Sequence, residues 1–312
     1  MCGIVGYTGP NSCVEILVDG LLRLEYRGYD SAGVAIQTGG GIAVRKSQGK
    51  ISRLTERIAK EPVSGTCGVG HTRWATHGRP SDENAHPHLA GRVAVIHNGI
   101  VENHRTLKEK MIAKGRTFCS ETDSEVIAHL LDEHVSAGMP LEEAVRKTVA
   151  ELRGSYAFLA VTDREPGTLV GARLNCPLVV GLGEGEFFLA SDLTAFLSHT
   201  RDVLFLEDGE MVIATPAGVR ITDFWGKPRE RSKQRIDWSS AMAEKGGYRH
   251  FMLKEIHEQP RAILDTLAGR MLPESGEVFF ETLPLSIEQI TSLKKVTLVA
   301  CGTSWHAALV GK

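Results

Sequence analysis

The second residue of the chain is a cysteine, in the run Met1-Cys-Gly-Ile-Val-Gly6. An initiator Met is readily removed when the next residue is small, and Cys2 would then carry a free α-amine beside its own thiol. Unperturbed, the thiol titrates at ~8.5 and the amine at ~7.7–8.0, so roughly a tenth of the amine is neutral at pH 7 and able to take the thiol proton. One residue then supplies both nucleophile and base. Gly3 lets the backbone pass close to a ligand, and Ile4-Val5 begin a strand that fixes the terminus. From position alone, Cys2 is more simply a small buried residue at the head of a strand.

A nucleophile that attacks an amide needs donors for the developing oxyanion. Asn98-Gly99 follows the apolar run Val93–Ile96. Asn offers a side-chain NH2, and Gly an amide with no Cβ in the way. Asn-Gly is also the commonest short hairpin turn, and both readings can hold in one turn. Five of the 12 histidines fall between 71 and 97 (His71, His77, His86, His88, His97). A His-Pro-His loop lacks both the helical i, i+4 spacing and the Cys pairs of zinc sites, so no metal is expected. Thr303-Ser304 closes the apolar run 295–300, where hydroxyls and amides could hold a phosphate at a helix N-terminus or serve as a plain cap.

These residues fall into ordered motifs: Cys2-Gly-Ile-Val-Gly6, Tyr26-Arg-Gly-Tyr-Asp-Ser-Ala-Gly33, His71-Thr-Arg-Trp-Ala-Thr-His-Gly78, Asn84-Ala-His-Pro-His88 and His97-Asn-Gly99. Together they resemble the class II glutamine amidotransferases, which are N-terminal-nucleophile hydrolases. Within that superfamily the set is most similar to the glucosamine-6-phosphate synthase family. Ala300-Cys-Gly-Thr-Ser304 resembles the opening of that family's sugar-isomerase domain, so the likeness covers the whole chain.

The resemblance implies L-glutamine as substrate, hydrolysed by Cys2, with Asn98 and the Gly99 amide as the oxyanion hole. Glutamine carries an α-carboxylate and an α-ammonium. By resemblance Arg73 binds the first, as a guanidinium fork can, and Asp123 the second. Read alone, Arg73 is a solvated charge and Asp123 a cap or first-turn acid beside Thr122. Thr76 and His77 line the same loop, residues 73–80, which in the family closes over glutamine while Trp74 gates an ammonia path. Closure matters because ammonia in open water is protonated at pH 7 and lost as a nucleophile. Arg27-Gly28 and Asp30-Ser31 read as a structural clamp around the nucleophile.

In the full-length family, fructose 6-phosphate accepts the ammonia to give glucosamine 6-phosphate. Thr303 and Ser304 belong to that sugar site, whose remaining residues would lie beyond Lys312. The expectation for this chain is therefore glutaminase activity alone, with no cofactor, no nucleic-acid or membrane partner and a cytoplasmic setting. The full-length family is homodimeric, and a monomeric fragment is an open alternative. Three rivals stay open: another class II amidotransferase, acting on phosphoribosylpyrophosphate or forming asparagine; a non-catalytic glutamine- or sugar-phosphate-binding module, if Met1 is retained; and a metal-dependent hydrolase. Tyr29, the Trp of His71–Gly78 and Ala300–Ser304 argue against the first.

The elements that must position these residues are legible in part. Short apolar runs bounded by Gly, Asn or Pro predict strands through residues 3–100 and again at 154–222. Helical spacing predicts helices over 14–25, 122–136 behind a Thr122-x-x-Glu125 capping box, and 141–152. Helices flanked by two blocks of strands predict an α+β layered domain. By resemblance it is a four-layer αββα sandwich over residues 1–222. A charged and glycine-containing linker follows at 223–247. Residues 248–312 then read as the truncated start of an α/β sugar-isomerase (SIS) domain, with 295–300 as a buried strand. The 312 residues allow about two domains. Thirty-six Lys and Arg against 38 Asp and Glu leave a formal charge of −2, without the basic excess of a nucleic-acid or membrane-surface binder. Six scattered cysteines with no C-x-x-C exclude a zinc ribbon or dithiol motif.

Overall fold

The computed structural model describes residues 2–75, 77–237, 248–271, 276, 278, 285–300 and 302–312. The chain divides into two compact units, Met1–Gly269 and Arg270–Lys312.

In the first unit the strands are, in chain order, β1 (Gly3–Thr8), β2 (Ser31–Thr38), β3 (Gly41–Gln48), β4 (Cys67–Arg73), β5 (His88–Ala90), β6 (Val93–Val101), β7 (Gly154–Thr162), β8 (Leu169–Leu174), β9 (Val179–Leu182), β10 (Phe187–Ala190), β11 (Asp202–Phe205), β12 (Glu210–Thr215), β13 (Gly218–Asp223) and β14 (Gln234–Arg235). The helices are α1 (Cys13–Leu24), α2 (Ile51–Lys60), α3 (His104–Ala113), α4 (Glu125–Ser136), α5 (Leu141–Glu151) and α6 (Phe251–Leu267). One sheet has eight strands in the order β14-β11-β9-β10-β1-β4-β2-β3, and the other six, β13-β12-β8-β7-β6-β5.

The alternation of side chains along the strands sorts the apolar residues into three cores. In β1, Ile4 faces the core between the sheets, while Val5 and Tyr7 face the core under α1 and α2. In β7, Ala157, Leu159 and Val161 face the inter-sheet core, while Tyr156, Phe158 and Ala160 face the core under α4 and α5. Both sheets are therefore covered on both faces, which is why their strands read as near-continuous apolar runs. The layers are helix, sheet, sheet, helix, as expected for an αββα sandwich.

Several local expectations are corrected. Asn98-Gly99 is not a hairpin turn. Both residues lie inside β6, whose pairing with β7 continues through Asn98↔Ala157, Gly99↔Tyr156 and Val101↔Gly154. The Thr122-x-x-Glu125 capping box does not form. The N-cap of α4 is Ser124, without a side-chain cap bond. The Thr122 hydroxyl instead meets His88 Nε2 at 3.0 Å, and the Glu125 carboxylate turns back to the Cys119 and Ser120 amides. Helices α2 and α3 and strand β3 were not anticipated.

In the second unit, α7 (Ile287–Thr291) starts at a Ser286–Gln289 capping box, and α8 (Gly302–Gly311) ends the chain. Residues 295–300, read as a buried strand, form none. A strand exists only against a neighbour's ladder, and among the described residues nothing pairs with this run. Val296, Leu298 and Val299 are exposed. Among the described residues no helix is long and apolar enough to cross a membrane.

Candidate active site

Cys2 precedes β1, in the middle of the eight-stranded sheet, and the neighbouring strand β4 delivers Arg73 and Trp74 beside it. The Trp74 amide donates to Cys2 Sγ at 3.2 Å, and the sulfur lies 3.4 Å from the Trp74 carbonyl. Burial is the largest influence on the Cys2 thiol and pushes it up. The Trp74 amide draws it down, the Asp30 carboxylate adds to the rise, and the Arg73 cation opposes it.

The segment 28–30 lies along 72–75 and holds this geometry. Thr72 donates its hydroxyl to the Gly28 carbonyl, the Asp30 amide donates to Arg73 O at 3.2 Å, and the Ala75 amide donates to the Asp30 carboxylate. Gly28 is required by space. A Cβ there would stand 2.7 Å from the Arg73 carbonyl carbon and oxygen and 2.9 Å from the Trp74 nitrogen. The Arg27 guanidinium pairs with Asp192 at 2.6 Å.

Asn98 and Gly99 reach the same place from the other sheet. Asn98 Nδ2 donates to the Cys2 carbonyl at 3.1 Å. Gly99 has φ +122, and a Cβ there would fall 2.0 Å from Ser155 O, so only glycine fits. Behind Asn98 lie four buried histidines, His71, His86, His88 and His97. His71 stacks on His86 at 4.2 Å between ring centroids, and His86 accepts from the His97 amide at 3.1 Å. Burial holds all four rings below the ordinary histidine range, His71 and His88 down to about 3. Among the described residues, no group of three or more His, Cys, Asp or Glu side chains is arranged to hold a metal ion.

Arg73 is buried, 4% exposed, and its fork is turned onto the following loop. It donates to the His77 carbonyl, to Gly78 O at 2.9 Å and to Arg79 O at 3.5 Å. It is therefore no solvated charge. Trp74 is half exposed, edge-on to Tyr29 with ring centroids 5.5 Å apart. The His77 ring lies edge-on to His104 at 5.6 Å. Asp123 is buried ahead of α4, with one carboxylate oxygen accepting from the Val101 amide at 2.7 Å. Thr76 lies outside the described residues, as does the Thr303 side chain. Ser304 is exposed on α8, in the second unit.

A cavity of about 170 Å³ brings Cys2, Arg73, Trp74, Asn98, Gly99 and Asp123 together, with His77 also on its wall. Sequence reasoning missed part of its lining: Ser155 at the start of β7, Cys176 and Pro177 after β8, and Arg261, Asp265 and Ala268 from α6 and its end. Arg261 donates to Asn175 O at 3.2 Å. No motif or spacing marks these residues.

Residues 71–198 match the model of the glutamine amidotransferase domain. A glutamine–fructose-6-phosphate aminotransferase (isomerizing) of Methanosarcina acetivorans is 50% identical to the chain over 323 residues, which cover 100% of the chain and 52% of that protein. The protein of the same name from Symbiobacterium thermophilum is 51% identical over 314 residues, covering 100% and 51%. The chain thus spans about half the length of the relatives it matches. Among solved structures, the glutamine phosphoribosylpyrophosphate amidotransferase of B. subtilis, complexed with ADP and GMP, superposes with a TM-score of 0.63 at 29% identity, over 72% of this chain and 49% of that one. The amidotransferase domain match, the shared sandwich and the identity along the whole length agree, and the chain belongs to the class II glutamine amidotransferase family.

Proposed function

We propose that the chain hydrolyses L-glutamine to glutamate and ammonia with Cys2 as nucleophile. We also propose that, within a longer protein like its aminotransferase relatives, the ammonia passes to fructose 6-phosphate to give glucosamine 6-phosphate. The observation that carries this reading is one of geometry. Cys2 Sγ sits 3.2 Å from the Trp74 amide while Asn98 donates to the carbonyl of the same cysteine at 3.1 Å, in a cavity also lined by Arg73 and Asp123.

Removal of Met1 frees the Cys2 amine, which takes the thiol proton as the sulfur attacks the side-chain amide carbon of glutamine. The carbonyl π-pair moves onto oxygen, where an Asn98 N–H and the Gly99 amide stabilise it. The C–N bond then breaks as the Cys2 ammonium returns its proton to the leaving nitrogen, giving ammonia and a γ-glutamyl thioester. Water, deprotonated by the same amine, attacks the thioester and releases glutamate and the thiol. Arg73 has N–H groups beyond those spent on the loop carbonyls and takes the α-carboxylate. The Asp123 oxygen not held by Val101 takes the α-ammonium. His77 lines the same pocket and Trp74 covers it, and Thr76 is assigned to glutamine binding by the resemblance alone. In this reading the enzyme works in the cytoplasm, and Thr303 and Ser304 contribute to the sugar site of the longer protein. Fructose 6-phosphate is favoured over phosphoribosylpyrophosphate as acceptor because the relatives at 50% identity bear the former in their names, while the latter belongs to a neighbour at 29%.

Glutaminase assay and intact mass on one sample test the reading. Protein lacking Met1 should release glutamate from glutamine, and Cys2→Ala should abolish release while still binding glutamine. Substantial activity in Cys2→Ala would remove the cysteine from the chemistry.

A further inference from the structure

We infer that His71 is a positioning residue for the candidate oxyanion hole: a neutral imidazole whose Nε2–H locks the Asn98 side-chain amide in the one orientation that donates towards the cavity. The inference rests on the reading of Asn98 as the oxyanion donor.

Two backbone carbonyls, which can only accept, fix the arrangement. One end of the Asn98 amide lies 3.1 Å from the Cys2 carbonyl, so that end must be the NH2. The other end, Oδ1, is then left facing His71 Nε2 at 3.0 Å. The same Nε2 lies 3.1 Å from the His97 carbonyl. A nitrogen facing two acceptors must carry the proton, so His71 is the Nε2–H tautomer and shares one N–H between two oxygens. Its Nδ1 is buried with no hydrogen-bond partner among the described residues, so no competing donor or acceptor favours the other tautomer. Enclosure against the His86 ring keeps the group uncharged.

One N–H of Asn98 goes to Cys2, which leaves the second for the substrate oxygen. An amide free to rotate spends part of its time with Oδ1 towards that oxygen, where it repels the developing charge. Fixing the donor before the reaction is what makes an oxyanion hole effective. His71 touches neither substrate nor sulfur in this account, so its loss should lower kcat and leave glutamine affinity alone.

The test is a double-mutant cycle on the full 312-residue chain, with glutaminase kcat, KM and thermal stability measured for each variant. Asn98→Ala should lower kcat by ~10²–10³. His71→Leu, of similar volume and without a donor, should lower kcat by about 3–10-fold with KM within about threefold, the loss of one hydrogen bond's worth of orientation. His71→Gln places an amide N–H where Nε2 was and should recover most of the loss. In the double variant, His71→Leu should add nothing to Asn98→Ala, a result that general loosening of the fold does not give. Nitrogen NMR of the unmodified chain reads the tautomer directly, and serves even where His71→Leu fails to fold. The expected state is protonated Nε2 with bare Nδ1 at neutral pH.

Full activity in His71→Leu, a loss that adds to that of Asn98→Ala, or an Nδ1–H tautomer each overturns the inference and leaves the oxyanion role of Asn98 standing. Unchanged kcat in Asn98→Ala overturns that role and the inference with it.

Discussion

Trp74 faces Cys2 with both of its backbone polar groups, the amide donating to Sγ at 3.2 Å and the carbonyl oxygen 3.4 Å from the sulfur. The amide favours a thiolate and the carbonyl favours a thiol, so the sulfur sits where either protonation state has a partner. That suits a group that must give up its proton on attack and regain it on release. The arrangement depends on where the end of β4 is held, and Gly28 and Arg73 hold it.

Gly28→Ala should damage both fold and activity. The residue's φ of −174 suits any side chain, so the obstacle is space alone. The added methyl meets backbone 2.7 Å away and cannot be accommodated by a side-chain movement. Overpacking of this kind costs ~1–3 kcal/mol. Urea unfolding should show that loss. Glutaminase activity should fall at least about tenfold as the Trp74 amide leaves the sulfur, since each ~1.4 kcal/mol is a tenfold effect. Wild-type kcat in a stably folded Gly28→Ala would show that the Trp74 contact is incidental.

Arg73→Lys removes the planar fork while keeping the charge. The guanidinium spans the carbonyls of His77, Gly78 and Arg79 and is assigned the glutamine carboxylate. A lysine is a point charge and cannot span several oxygens at once. KM for glutamine should rise roughly 10–100-fold, as hydrogen bonds to charged groups contribute about 1.5–3 kcal/mol, with kcat changed much less. An unchanged KM takes Arg73 out of the pocket.

Acid should destabilise the chain in two stages of different origin. Burial holds His71 and His88 neutral down to about 3, whereas the unfolded chain protonates its histidines near ~6.5. The unfolded state therefore binds more protons between those values, and stability falls as pH drops below ~6.5. Glu125 acts lower. Burial alone would raise its carboxyl, but the His129 ring, the Cys119 and Ser120 amides and the Ser120 hydroxyl outweigh this and bring it down to about 2. Its contribution is complete above the unfolded value of ~4.3 and is lost as pH falls through about 2. Glu125→Gln should lower stability at pH 7 and flatten the pH dependence below ~4.3, leaving the decline that starts near ~6.5 intact. Equilibrium unfolding at a series of pH values checks both. A decline that starts only near ~4 would contradict the account of the histidines.

The layered architecture is legible because strands buried on both faces stand out as short apolar runs bounded by Gly, Asn or Pro. The runs Val93–Ile96 and Ala157–Thr162 announce strands, which the structure extends to Val93–Val101 and Gly154–Thr162. What sequence reasoning misplaces is set by contacts between distant segments. Asn98-Gly99 carries the strongest local signal for a turn, yet pairing with Ala157 and Tyr156 draws both residues into a strand, with Gly99 alone absorbing the kink. Thr122 has a capping-box spacing, but His88 reaches its hydroxyl from β5. The run 295–300 has strand composition without a partner among the described residues. Cys2, Arg73 and Asp123, which line one cavity, were readable as candidates only through resemblance to a known family. Arg261 and Asp265 were not, because helix periodicity says which residues share a face and nothing about which cavity that face meets.

The central claim is that the Cys2 sulfur does the chemistry, and a diazo-ketone analogue of glutamine, 6-diazo-5-oxo-L-norleucine, tests it most directly. After incubation with protein lacking Met1, peptide mapping by mass spectrometry should find one adduct, on the Cys2 sulfur, with glutaminase activity lost in proportion to labelling. An adduct on another side chain with Cys2 untouched, or full labelling of Cys2 with activity retained, contradicts the account.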